Sequence, residues 1–131
     1  MEESIKSHIR SHCVGTTAVV YASDYLNKLT GERIERECKK QLDSGARALV
    51  IDFSDTELVN SIGISILLGI IDIAEKIGAL VVFSDVNDET VQLFDMLGLT
   101  RHVVLARDEQ EALSGLSTPP RKRRQLATRR Q

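Results

Sequence analysis

A run of apolar residues at helical length limits the folds open to this chain. From Ser61 to Ile77, stopping at Gly78, the sequence carries Ile62, Ile64, Ile66, Leu67, Leu68, Ile70, Ile71 and Ile73. On a helix these side chains cover nearly every side of the first three turns. A helix of this kind is either mostly buried or presents a contact surface to a partner. Arg47 to Phe53 precedes it as a continuous apolar run, the pattern of a central strand covered on at least one face. Ser54 to Glu57 reads as the polar loop between them. The corner where the helix opens is Asn60-Ser61. The first N–H groups of a helix have no partner within it, and a serine oxygen there can cap them. Ser61 is therefore expected as a cap or as a switch. If phosphorylated, its charge would face the positive end of the helix dipole. Gly63 and Gly69 each cost about 1 kcal/mol of helix propensity relative to alanine. Their expected use is close approach of the helix backbone to a neighbour.

The rest of the chain alternates strands and helices around this unit. Ser4 to Arg10 alternates in polarity, as a half-buried strand does. Cys13-Val14-Gly15-Thr16 offers a turn, and Thr17 to Tyr21 a second strand of the same hairpin. Thr30 is the expected N-cap of a helix running to about Ser44. Ile34, Cys38 and Leu42 form its apolar stripe, its charges form a solvated face, and Gly45 stops it. Leu80 to Phe83 is the next strand, followed by a helix capped by Asp88 and ended by Gly98. His102 to Leu105 reads as a short strand, and Asp108 to Glu111 as a capping box for a last helix. This order requires crossover connections. The expected fold is a single α/β domain over residues 1–116. Its sheet is mixed and mainly parallel, with four to five strands.

Charge divides the chain in two. All 19 acidic residues precede Ser114, and with 11 bases they leave that part at −8. Six bases and no acids follow it, from Arg121 to Arg130. An acidic body is not the footprint of a DNA-binding domain. Residues 117–131 read as a disordered basic tail, either a solubility or linker segment or one that docks electrostatically on an acidic partner, anionic lipid or RNA. No apolar run is long enough to span a membrane. The acidic start Met1-Glu2-Glu3 is unlike a secretion signal. Cys13 and Cys38 lack metal spacing and read as free thiols of a reducing compartment. The expected location is the cytoplasm.

No enzyme site assembles from the residues. There is no GxSxG elbow, phosphate-binding loop or GxGxxG run. His8, His12 and His102 are scattered and read as structural or surface residues. Asp52, Asp55 and Glu57 follow the central strand, where open α/β sheets place ligands. They could hold a cation, but solvated loop carboxylates are the simpler reading. No cofactor or metal is expected.

Three blocks carry a family resemblance over roughly Ile5 to Leu113. They are Ala48-Leu49-Val50-Ile51-Asp52-Phe53-Ser54, Leu58-Val59-Asn60-Ser61-Ile62-Gly63, and Leu93-Phe94-Asp95-Met96-Leu97-Gly98-Leu99. Together they resemble the STAS domain, and more narrowly the anti-sigma factor antagonists. The resemblance implies the same α/β fold, with helices mainly on one side of the sheet. In that family the corner reads Asp-Ser-(Ser/Thr)-Gly, and the serine after the Asp is phosphorylated. That serine maps onto Ser61, while Asn60 replaces the Asp and Ile62 the following hydroxyl residue. The resemblance implies a non-enzymatic partner-switching protein. It would bind a serine kinase that is also an anti-sigma factor, so freeing a sigma factor. The kinase uses ATP and magnesium, and a PP2C-type phosphatase resets the serine. The expected docking residues are Asn60, Ile62, Gly63 and Ile64. Two other classes remain open: a ligand-sensing STAS domain binding a small nucleotide or lipid at this corner, and a small enzyme of flavodoxin-like shape.

Overall fold

The computed structural model describes residues 9–117. The expected first strand falls mostly before residue 9, and the basic tail after 117, so both lie outside the described residues. Ile9 is buried, and the Arg10 carbonyl accepts from the Tyr21 N–H at 3.0 Å. The first described strand, β1, is Ser11–Val14. It pairs antiparallel with β2, Thr17–Tyr21, through a turn at Gly15, whose φ of 61° suits glycine. The turn is thus tighter than expected, because Cys13 and Val14 belong to the strand.

A short β3, Tyr25–Leu26, leads into α1, Lys28–Asp43. Then follow β4, Ala48–Asp52, β5, Leu58–Val59, and α2, Ser61–Lys76. The chain continues through β6, Leu80–Ser84, and α3, Asp88–Met96. A 3-10 turn at Leu99–Arg101, β7 at Val104–Ala106, and α4 at Glu109–Ser117 complete the order. The five-stranded sheet runs β1-β2-β4-β6-β7, parallel after the first pair. β3 and β5 form a separate two-stranded parallel sheet, with Tyr25 beside Leu58 and Leu26 beside Val59. Two residues each are too few to register as strands by periodicity.

The sheet has two covered faces. On one, Ala18, Val20, Leu49, Ile51, Val81 and Phe83 meet Ile34, Cys38 and Leu42 of α1 and Ile64, Leu67, Ile70 and Ile71 of α2. Phe53, Phe83 and Phe94 pack edge-on or tilted there, with centroids 5.1 to 5.8 Å apart. On the other face Val19, Val50, Val82 and Ala106 meet Ala112 of α4, with Leu113 and Leu116 packed against them. Helices therefore stack mainly on one side, as expected, and the last helix covers the other. Burial on both faces explains why β4 reads as unbroken apolar sequence.

The helix starts correct the sequence reading. Asn27, Asn60 and Asn87 are the N-caps of α1, α2 and α3, where Thr30, Ser61 and Asp88 were expected. In each case Oδ1 of the asparagine accepts the backbone N–H three residues on, at 3.1, 2.8 and 2.8 Å. Asparagine caps as well as any residue type, and its extended backbone stops the helix from starting earlier. Thr30 instead completes a capping box from the third helical position, accepting the Asn27 N–H at 3.0 Å. Asp108 accepts the Glu111 N–H as expected, at 2.8 Å, but the Glu111 carboxylate turns to the Arg107 N–H. Strand β7 begins later than expected because the 3-10 turn at Leu99–Arg101 takes up the chain after Gly98.

Candidate functional site: the corner before α2

Three hydrogen bonds lace the loops that build the corner. Thr56 Oγ1 donates to the Ser23 carbonyl at 2.7 Å. The N–H groups of Glu57 and Leu58 both donate to the Asp24 carbonyl, at 2.8 and 3.2 Å. The β3–β5 ladder follows, and the Asn60 N–H closes it on the Leu26 carbonyl at 3.0 Å. Gly63 then brings the first turn of α2 onto β3. A Cβ at this position would stand 2.6 Å from the Leu26 carbonyl oxygen and 2.9 Å from Leu26 Cγ. Only glycine fits without movement, as the sequence led one to expect. Gly69 differs: a Cβ there would meet only Glu35 Oε2, at an ordinary 3.8 Å.

Ser61 is the first residue of α2 and is exposed. Asn60 has taken the cap, so the serine oxygen is not needed for it. The Ser61 hydroxyl makes no hydrogen bond to another described residue. The first turn of α2 carries no acidic side chain, whereas α3 has Asp88 and Glu89 in its first turn. The partial positive charge at this helix end is therefore not offset by its own side chains.

The expected docking residues separate into two sets. Asn60 is half-buried, with Nδ2 3.5 Å from the Tyr25 hydroxyl, and Ile62 is 49% exposed. Gly63 and Ile64 are buried, so they support the corner from beneath and do not line its surface. The sequence reading missed Tyr25 and Leu58, which are 42% and 63% exposed and adjacent in the small ladder. The signal available was an apolar pair in otherwise polar loops. Along α2 the exposed stripe is narrow, comprising Ile62, Ser65 and Leu68 among its upper turns. The other apolar side chains of this helix pack inward, which resolves its all-round hydrophobicity.

The carboxylates after β4 also separate. Asp52 is 2% exposed and is not a solvated loop residue. Its Oδ1 accepts from the Ser54 N–H and hydroxyl at 3.0 and 2.5 Å, and its Oδ2 from the Ser84 hydroxyl at 2.7 Å. Three donors hold this buried charge, and they tie the end of β4 to the end of β6. Asp55 and Glu57 are exposed. No group of three metal-binding side chains comes together among the described residues. His12 lies against Tyr21 and Glu109 and His102 against Glu75, while His8 is outside the described residues. Cys13 is exposed and Cys38 buried, and both are free thiols. Among the described residues no helix is long and apolar enough to cross a membrane.

The fold is shared with several solved proteins. SpoIIAA of Bacillus in its phosphorylated form superposes with a TM-score of 0.68 at 17% identity, covering 83% of this chain and 99% of that one. An anti-sigma factor antagonist from Mycobacterium paratuberculosis gives 0.70 at 22% identity, covering 85% and 94%. RsbS of Moorella thermoacetica gives 0.73 at 22% identity, covering 83% and 94%. At these identities the likeness establishes the architecture. The STAS domain family model matches residues 4–112, a span that includes the laced loops, the glycine-seated corner and both covered faces of the sheet. The chain belongs to the STAS domain family.

Proposed function

We propose that this chain is an anti-sigma factor antagonist whose partner docks at the corner before α2 and is released by phosphorylation of Ser61. The observation that carries the reading is the division of labour between Asn60 and Ser61. Asn60 caps the helix, which leaves an exposed serine hydroxyl at the positive end of α2. Two structural neighbours, SpoIIAA and the Mycobacterium paratuberculosis protein, support the general role by fold.

The chemistry of the switch follows from the surroundings of Ser61. A phosphoryl group adds about −1.5 to −2 charges at neutral pH. Its oxygens would find the uncompensated helix end, so the domain itself tolerates them. A partner packed on Ile62, Leu58 and Tyr25 would have to desolvate that charge, and burying an unpaired ion is costly. Phosphorylation then releases the partner without unfolding the domain. The partner on this reading is an anti-sigma factor serine kinase, which supplies the phosphoryl group from ATP, and a PP2C-type phosphatase restores the hydroxyl. The antagonist itself performs no catalysis.

Phosphopeptide mapping after incubation with anti-sigma kinases and ATP tests the proposal. Phosphate on Ser61, with loss of kinase binding, is the expected result. A bound kinase that leaves Ser61 unmodified, or Ser61→Asp binding as well as the parent, would remove it.

A further inference from the structure

The corner carries a charge pattern as well as an apolar one. Tyr25 and Leu58, paired across the small ladder, and Ile62 in the first turn of α2 are its exposed apolar side chains. Asp24, Asp55 and Glu57 are exposed on the two loops that the Thr56–Ser23 and Glu57–Asp24 hydrogen bonds hold together. Asp24 Oδ1 accepts the Tyr25 N–H at 2.8 Å, which keeps this carboxylate beside the ladder. Within the described residues none of the three carboxylates enters an ion pair. Across residues 22–31 and 53–66 the sole base is Lys28.

We infer that this surface receives a protein face of complementary build, an apolar centre rimmed by lysine or arginine. The inference rests on the proposed function and adds the chemistry of the partner to it. Three uncompensated carboxylates beside three exposed apolar side chains repel an acidic partner and attract a basic one. Apolar contacts at Tyr25, Leu58 and Ile62 supply the desolvated centre, where hot spots concentrate. The carboxylates form the wet rim, where charges steer encounter and set salt dependence. Ser61 lies next to the apolar centre in sequence and the acids lie on the loops beyond Leu58, so the two parts of the surface have separate roles. The rim selects the partner, and the serine decides whether the centre can close.

Two synthetic amphipathic helical peptides test the pattern, one of leucine with lysine and arginine and one of leucine with glutamate. Amide shifts of the full-length, nitrogen-labelled chain are recorded with each, at low and high salt. The basic peptide is expected to shift residues 24–25 and 55–62, and the acidic peptide is not. A variant combining Asp24→Asn, Asp55→Asn and Glu57→Gln keeps the local acceptors and should bind the basic peptide about tenfold more weakly. High salt should weaken the parent and leave that variant nearly unchanged. Shifts centred on Asp85, Asp88, Glu89 and Asp108, equal shifts with both peptides, or an unweakened triple variant would each overturn the inference. The Ser61 reading has its own test. Phosphorylation of Ser61 with kinase release, and no loss in the triple variant, would leave the switch standing and remove the rim.

Discussion

The carbonyl oxygen of Leu26 occupies the space in which any side chain at Gly63 would begin, 2.6 Å from the position of a Cβ. The backbone fixes where a Cβ stands, and the atom it would meet is a backbone oxygen, so no rotamer change relieves the contact. Gly63→Ala should therefore destabilise the domain even though alanine is the better helix former. Overpacking of this kind costs about 1–3 kcal/mol, against a propensity gain of about 1 kcal/mol. A urea melt should show a lowered midpoint. A midpoint equal to the parent's would mean that β3 moves freely away from α2.

Asn60 and Ser61 should respond differently to the same change. Asn60→Ala removes the acceptor of the Gly63 N–H and should cost about 1 kcal/mol. Asn60→Asp keeps the acceptor and should hold stability. Ser61→Ala removes no hydrogen bond to a described residue and should stay within about 0.5 kcal/mol of the parent, as surface changes do. Thermal melts of the three variants check the ranking. A larger loss for Ser61→Ala than for Asn60→Ala would reverse the cap assignment.

Asp85 should make stability depend on pH in an unusual direction. It holds φ at 60°, and desolvation, with the nearby charges of Asp52 and Asp108, raises its pKa above the ordinary aspartate value. A carboxyl whose folded-state pKa is raised is disfavoured in its ionised form by the fold. Its contribution to stability is present below the unfolded pKa and is lost as pH rises through the folded one. Asp85→Asn removes this loss, and asparagine tolerates the left-handed backbone. The variant should gain on the parent at neutral pH, and the gain should shrink as the pH falls through the carboxylate range. A constant difference across pH would show that charge is not its cause.

The two thiols should report folding. Cys13 is exposed, whereas burial, with Glu37 and Glu35 nearby, pushes the Cys38 thiol up to about 12. Only thiolate reacts readily. A thiol reagent at neutral pH should modify Cys13 in the native chain and both cysteines in denaturant. Equal native rates would reveal opening of α1 away from the sheet.

Most of the architecture was legible because period and burial speak strongly in this chain. The Ile34, Cys38 and Leu42 stripe, the β4 run and the glycine stops at Gly45, Gly78 and Gly98 all lie where side-chain spacing put them. Helix starts were less legible, since capping depends on one oxygen and several neighbouring residues can supply it. Asn27, Asn60 and Asn87 won because their backbones stay extended while their side chains reach forward. The role of Asp52 was hidden for another reason. Its third donor, Ser84, is 32 residues away, and only the parallel pairing of β4 with β6 brings the two together. Tyr25 and Leu58 became neighbours through a ladder only two residues long.

The position of α4 has a consequence for how the chain is made. The helix covers Val19, Val50 and Val82, yet it is synthesised after every strand it shelters. A chain leaving the ribosome in sequence order at about 5–20 residues per second exposes that apolar face for seconds while α1 and α2 already cover the opposite one. During that interval the nascent sheet is half-finished and adhesive. Emergence of α4, more than formation of the apolar helix, is then the step at which the second apolar face becomes covered.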